Sequence, residues 1–260
     1  MIHFIIATYA EAVPLISFFK LKKKSGRLQF DIFFSSNKKI SLTISGIGKI
    51  QAVASVIYTN MFFGGVRNNA WINIGIAGHK CEEIGNIFLI NNNLDFATKK
   101  NYFPIINFEG NFKYQSSITY DYADEKYNDS ISDMELSGFF YAAAKSSSIE
   151  LIQSLKIISD NRSETIDFKD TIKINEIIMK RINIIEELCL KLVSNYIDIN
   201  ELDFENSDII EKFKPSNVQK KEFLYLKNKH FLYKDYSIIK SINQFDSINS
   251  FLGFLKRKIR

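Results

Sequence analysis

Four short stretches of this chain are apolar almost from end to end: residues 2–7, 70–75, 85–90 and 151–159. Each is short and shows little alternation, the pattern of a strand covered on both faces, as in a parallel sheet. Helical patterns separate them. Residues 10–21 place Val13, Ile16 and Phe19 on one side, with Pro14 in the first turn, where a missing N–H costs nothing. Residues 50–62 carry Ile50, Val53, Ile57 and Met61 at helical spacing, and Gly64-Gly65 ends that run. The stretch 171–197 reads as one long helix with the stripe Ile174, Ile178, Ile182, Ile185, Cys189, Leu192 and Tyr196. Leu28, Phe30, Ile32 and Phe34 alternate with polar neighbours, as do Ile40, Leu42 and Ile44, so a β-hairpin is expected there. Residues 109–130 are polar and tyrosine-rich, a loop with one short strand near 112–119. The order predicts an α/β fold: a central mixed, largely parallel twisted sheet flanked by helices. Residues 198–211 are acidic and weakly patterned, and short amphipathic helices follow Pro215, at 216–228, 234–242 and 246–258. The expected division is an α/β domain over 1–197 and a linker with a helical C-terminal extension over 198–260.

In such a sheet, ligand-binding groups gather where strands end. Three acids stand at such places. Glu11 follows the first apolar run, Glu135 sits in Asp133-Met134-Glu135 before a small-residue helix, and Asp160 closes the fourth run after Ser159. Each has an ordinary explanation. An acid in a first helical turn is favoured by the free amides and the dipole, and an Asp beside Ser and Asn suits a turn or a cap. Their recurrence at the ends of three apolar runs is what points to a site. Ser45-Gly46-Ile47-Gly48-Lys49 lacks the spacing of a nucleotide-binding glycine loop. It either makes a tight turn or offers amides at a helix start to an anion or a sugar hydroxyl. Gly75 and Gly78 let a ligand approach the backbone closely, and His79 beside them reads as a loop residue or a site residue.

Charge and cysteine usage narrow the classes. The net charge of +5 comes with 24% charged residues, a mixed solvated surface. Basic residues cluster only at 20–24 and 256–260, so no nucleic-acid partner is expected. Two cysteines, Cys81 and Cys189, lie far apart, which fits a reduced, cytoplasmic setting. No His/Cys/Asp cluster has ligand spacing, so neither a metal nor a cofactor is expected. No window of about 18 uncharged apolar residues exists, so no membrane partner is expected either.

Taken in order, Phe4-Ile-Ile-Ala-Thr-Tyr-Ala-Glu-Ala-Val-Pro14, Ser45-Gly-Ile-Gly-Lys49, Ile74-Gly-Ile-Ala-Gly78, Gly85-Asn-Ile-Phe-Leu89, Asp133-Met-Glu-Leu136 and Ile157-Ile-Ser-Asp160 resemble the nucleoside phosphorylase superfamily. Within it the chain looks most like the methylthioadenosine/S-adenosylhomocysteine nucleosidases and related purine nucleosidases. The resemblance spans about residues 1–197. It implies a purine nucleosidase that hydrolyses the N-glycosidic bond of an adenine-type nucleoside or thionucleoside, working as a homodimer. It also implies roles: Glu135 and Met134 hold the ribose, Asp160 protonates the purine, Glu11 activates water, and Ser159, Gly78, Ile76 and Lys156 line the substrate site. Such a reaction must steady positive charge on the sugar and protonate the departing base.

The chain departs from the family pattern at several positions. The usual catalytic acid falls at Ala12, a hydroxyl is lost at Ile76, a glycine is replaced by His79, and the basic residue before Ser-Asp is Lys156 rather than Arg. Asn73 stands where many phosphorylases place Arg. A phosphate dianion would want arginine forks and hydroxyls, so water is favoured as nucleophile. A phosphate-dependent phosphorylase and a non-catalytic nucleoside-binding module are the alternatives. Tyr120, Tyr122 and Phe103 are candidates for a purine platform.

Overall fold

The computed structural model describes residues 1–123, 127–199, 212–234 and 236–259. The chain divides into two units, Met1–Leu188 and Cys189–Arg260. The expected linker at 198–211 lies almost wholly outside the described residues.

The first unit is built on one mixed sheet. Its strands are β1 (Ile2–Ile6), β2 (Lys22–Lys23), β3 (Asp31–Phe34), β4 (Ile40–Ile44), β5 (Ala70–Gly78), β6 (Ile87–Asp95), β7 (Asn101–Tyr102), β8 (Tyr114–Thr119), β9 (Ile131–Asp133) and β10 (Ile152–Asp160). Helices α1 (Tyr9–Phe18), α2 (Lys49–Phe62), α3 (Leu136–Ala143) and α4 (Thr171–Met179) accompany them, and α5 (Ile182–Ile199) begins in this unit. The apolar runs became strands with buried residues on both faces; every residue of β1 is buried, as are eight of the nine in β5. The sheet is mixed: β1 pairs in parallel with β4 and β5, and β5 with β10, while β3–β4, β6–β10 and β5–β9 are antiparallel.

The pairing of β5 decides where a site can form. Its first half lies against β1, and its last residue, Gly78, meets Ser132 of β9. Along its other side runs β10, which pairs on to β6, and β6 pairs through β8 back to β9. The strands β5, β10, β6, β8 and β9 therefore close a ring. The ends of β5, β9 and β10 come together on its rim.

Three expectations need correction. Pro14 is inside α1 beyond its first turn, because the helix starts at Tyr9 behind the Thr8 cap. A proline cannot serve the carbonyl four residues earlier. That carbonyl, of Ala10, takes a 2.8 Å hydrogen bond from Asn175 Nδ2 of α4 instead. The single helix over 171–197 is two, α4 and α5, broken at Lys180–Arg181, where Arg181 Nε donates to Gly85 O at 2.6 Å. Finally, α2 buries its small face, Ala52, Ser55, Val56 and Thr59, leaving Ile50, Ile57 and Met61 outside at 81%, 43% and 68% exposure. A helix-spaced apolar stripe is ordinarily the buried one. Here close packing of α2 on α3 selects the small residues: a Cβ on Gly138 of α3 would collide with the Lys49 carbonyl.

The second unit holds α6 (Asn217–Tyr233), a 3₁₀ segment (Tyr236–Gln244) and α7 (Ile248–Ile259). Phe223, Leu226, Ile239, Ile242, Phe251, Leu252 and Leu255 form its core. Ser216 caps α6 with Gln219 reaching back, a capping box.

Candidate active site

The middles of β5 and β10, together with the end of β9, carry a buried charge cluster. At its centre is Lys156, 1% exposed, on β10 opposite Gly75. Its Nζ lies 3.0 Å from Asp133 Oδ2 of β9, and neither side chain reaches water. Burial alone would lower the Lys156 pKa, but the Asp133, Glu135 and Glu11 carboxylates around it raise it on balance. An ammonium this dry is stable only with such partners.

Asp133 does more than pair. Its Oδ2 accepts the N–H groups of Glu135 (3.2 Å) and Leu136 (2.9 Å), and its Oδ1 accepts Thr119 Oγ1 at 2.7 Å. It therefore satisfies the first amides of α3. The capping role that an acid in this motif invites falls to Asp133. Glu135 occupies the N-cap position and makes no side-chain cap bond.

The Glu135 side chain instead crosses to the glycine turn. Its Oε1 accepts the Gly48 N–H at 2.8 Å, and among the described residues its Oε2 makes no hydrogen bond. Gly48 adopts φ 99°, a backbone conformation open mainly to glycine, and this turn begins α2. The amides of the turn thus serve a carboxylate of the chain itself. Burial pushes the Glu135 pKa up to about 7; the Asp133 and Glu11 charges add to this, against Lys156 and the Gly48 N–H.

Glu11 closes the cluster from α1. It is buried, and Thr8 holds its Oε2 through the backbone N–H (2.9 Å) and Oγ1 (2.6 Å), a reciprocal capping box. Its Oε1 accepts the Ile76 N–H at 2.8 Å. A Cβ placed on Gly75 would stand 3.0 Å from Glu11 Oε1 and 3.4 Å from Lys156 Nζ. Glycine at 75 is what lets the two approach over β5. Ala12, the next residue, is fully buried.

Asp160 stands apart, four residues along β10 from Lys156, about 13 Å at ordinary strand rise. A β-bulge sets Ser159 and Asp160 against the single residue Gly78. Ser159 Oγ donates to Asp160 Oδ1 at 2.5 Å, and a Cβ on Gly78 would lie 2.5 Å from Asp160 Oδ2 and 2.9 Å from the Tyr127 ring. Met134 is half-buried between the two acids of its motif, and Ile76 is half-buried on β5.

Other candidates serve structure. His79 Nδ1 accepts the N–H groups of Cys81 and Glu82, so its Nε2 carries the proton and donates to Asp129 O at 3.0 Å. It ties down a loop. Asn73 donates to Ile5 O between strands. Of the three aromatics, Tyr120 is buried with Asn128 on its hydroxyl and Phe96 at 4.8 Å, while Tyr122 and Phe103 are mostly exposed. Sequence reading assigned no role to Asp133, Thr119 or the ion pair between Lys49 and Asp95 at 3.0 Å. Asp133 was visible only as one half of an acidic pair; its partners lie on three other strands and helices. Among the described residues no group of His, Cys, Asp or Glu has the arrangement of a metal site.

No protein-family model matches the sequence, and no curated protein matches it. Solved structures do match the fold. The Arabidopsis thaliana 5′-methylthioadenosine nucleosidase shares 18% identity and a TM-score of 0.55 over 75% of this chain and 95% of its own. The Campylobacter jejuni 5′-methylthioadenosine/S-adenosylhomocysteine nucleosidase gives 18% and 0.55 over 72% and 97%. The Neisseria meningitidis nucleosidase, solved with methylthio-immucillin-A, gives 16% and 0.53 over 68% and 95%. At these identities the likeness is one of fold, and the fold is the one that the sequence resemblance implied.

Proposed function

We propose that this protein is a purine nucleosidase that hydrolyses the N-glycosidic bond of an adenine-type nucleoside or thionucleoside. The observation that carries the reading is Glu135: a buried carboxylate fixed on one oxygen by the Gly48 N–H, with the other unbonded among the described residues. That free oxygen accepts the ribose hydroxyls, and Met134 packs against the sugar. As the C1′–N9 bond breaks, its electrons leave with the purine and positive charge grows on the ribose, which the Glu135 carboxylate steadies. Asp160, oriented by Ser159, gives a proton to the departing base. Water adds to C1′ and loses its proton to Glu11, whose oxygens are aimed by Thr8 and the Ile76 N–H.

Water is favoured over phosphate by charge. Glu11, Asp133 and Glu135 outnumber the one ammonium, Lys156, so a phosphate dianion would be repelled. The protein acts as a homodimer joined on the outward stripe of α2, Ile50, Ile57 and Met61, an apolar face that an isologous partner would cover.

The test is release of free base from a panel of nucleosides, with and without phosphate, followed chromatographically. Adenine release from methylthioadenosine without phosphate is expected, with Asp160→Asn slowed by on the order of 10²-fold or more. Turnover only with phosphate makes it a phosphorylase. Tight nucleoside binding with no base release makes it a binding module.

A further inference from the structure

We infer that Asp133, which the proposed reaction does not use directly, is the positioning residue of this site: it aims Lys156 and the N-terminus of α3 so that Glu135 meets the sugar. The geometry comes from four strands and helices. One Asp133 oxygen takes Thr119 Oγ1 of β8; the other takes Lys156 Nζ of β10 and the Glu135 and Leu136 amides at the start of α3. The carboxylate thus fixes the backbone that carries Glu135 and the cation beside it together. Thr119 in turn is held by Asn93 Nδ2 of β6 at 2.9 Å, and its oxygen also receives the Ser137 N–H at 3.1 Å. With no exposed atom on its side chain, Asp133 does not reach a substrate itself. It governs how the charge on Lys156 is shared between Glu135 and Glu11.

The groups that face Glu135 are Lys156 from β10, Asp133 from β9, Glu11 from α1 and the Gly48 N–H at the start of α2. Removing the Asp133 charge takes away a repulsion and turns Lys156 toward the two remaining carboxylates. Both changes favour ionised Glu135. An uncharged residue that merely capped α3 would, when lost, weaken folding without moving that titration.

The activity readout rests on the nucleosidase reading; the titration readout does not. Protein labelled with ¹³C in its glutamate carboxyls is titrated by NMR, with the Glu135 signal assigned by its loss in Glu135→Gln. In Asp133→Asn the Glu135 midpoint is expected to fall by about one pH unit or more, and kcat/KM for adenine release by about tenfold or more. A midpoint that stays or rises overturns the inference, as does unchanged kcat/KM in an active enzyme. If the midpoint falls while the wild type turns over no nucleoside, the positioning role stands and the nucleosidase reading fails. Asp133→Asn strands a buried ammonium and can fail to fold. Lys156→Gln and Asp133→Asn/Lys156→Gln then test the Asp133 repulsion by itself: a lower midpoint in the double variant supports the inference, and an equal or higher one overturns it.

Discussion

At the scale of single residues, the site is a problem of unequal charge. Three carboxylates share one buried ammonium, and Glu135 absorbs the imbalance because burial adds to the repulsion. This makes folding stability depend on pH with a definite sign. In the unfolded chain Glu135 titrates near its ordinary 4.5, and in the folded protein near 7. Between these values the folded state keeps a proton that the unfolded state has lost. The stabilisation is therefore full below about pH 4.5 and is lost as pH rises through 7. Urea midpoints measured at pH 5 and pH 8 are expected to show this fall in the wild type and a smaller one in Glu135→Gln. An equal fall in the variant assigns the titration to another group. The proposed reaction asks the opposite of the same residue, since ribose hydroxyls bind best to an ionised carboxylate.

At the scale of elements, the site depends on how closely helices approach the strand ends. The Gly48 turn reaches Glu135 because α2 and α3 touch backbone to side at Gly138. Alanine there would gain about 0.5–1 kcal/mol of helix propensity. It would also drive its Cβ into the Lys49 carbonyl, which belongs to backbone and cannot swing away. Overpacking wins: Gly138→Ala is expected to lose about 1–3 kcal/mol net, read as a lower urea midpoint. A raised midpoint would mean the helices can part without cost. Nearby, Lys49 holds Asp95 at 3.0 Å and Ser137 Oγ donates to the same Asp95 oxygen at 2.7 Å, tying the starts of both helices to β6. Burial would raise the Asp95 pKa, but hydrogen bonds from Ser137, Thr98 and Lys49 outweigh it and hold it well below the usual range.

For the whole molecule, the unexplained surface is the apolar stripe of α2. Among the described residues no other element of the first unit covers Ile50, Ile57 or Met61. If two copies meet there, light scattering after size exclusion should give about twice the 30.1 kDa chain mass at micromolar concentration. Ile57→Glu/Met61→Glu should give the single mass with its fold intact. A wild type that runs as a single chain removes the pairing.

The sequence by itself determined the longer strands, the hairpin, most of the helices and the places where acids end the strands, but not the short β2, β7 and β9. Local periodicity and end residues carry that information, because a strand covered on both faces must be apolar throughout and a helix must show one apolar side. It could not say which side of α2 is buried, that 171–197 breaks at Arg181, or that Asp133 rather than Glu135 caps α3. Those outcomes depend on what stands opposite: the Lys49 carbonyl against Gly138, the Gly85 carbonyl against Arg181, and Lys156 against Asp133. In two of these cases the partner is more than 80 positions away in the chain, and in the third it stands on a different strand. Only folding brings such groups together, and steric fit and charge balance are settled between neighbours in space.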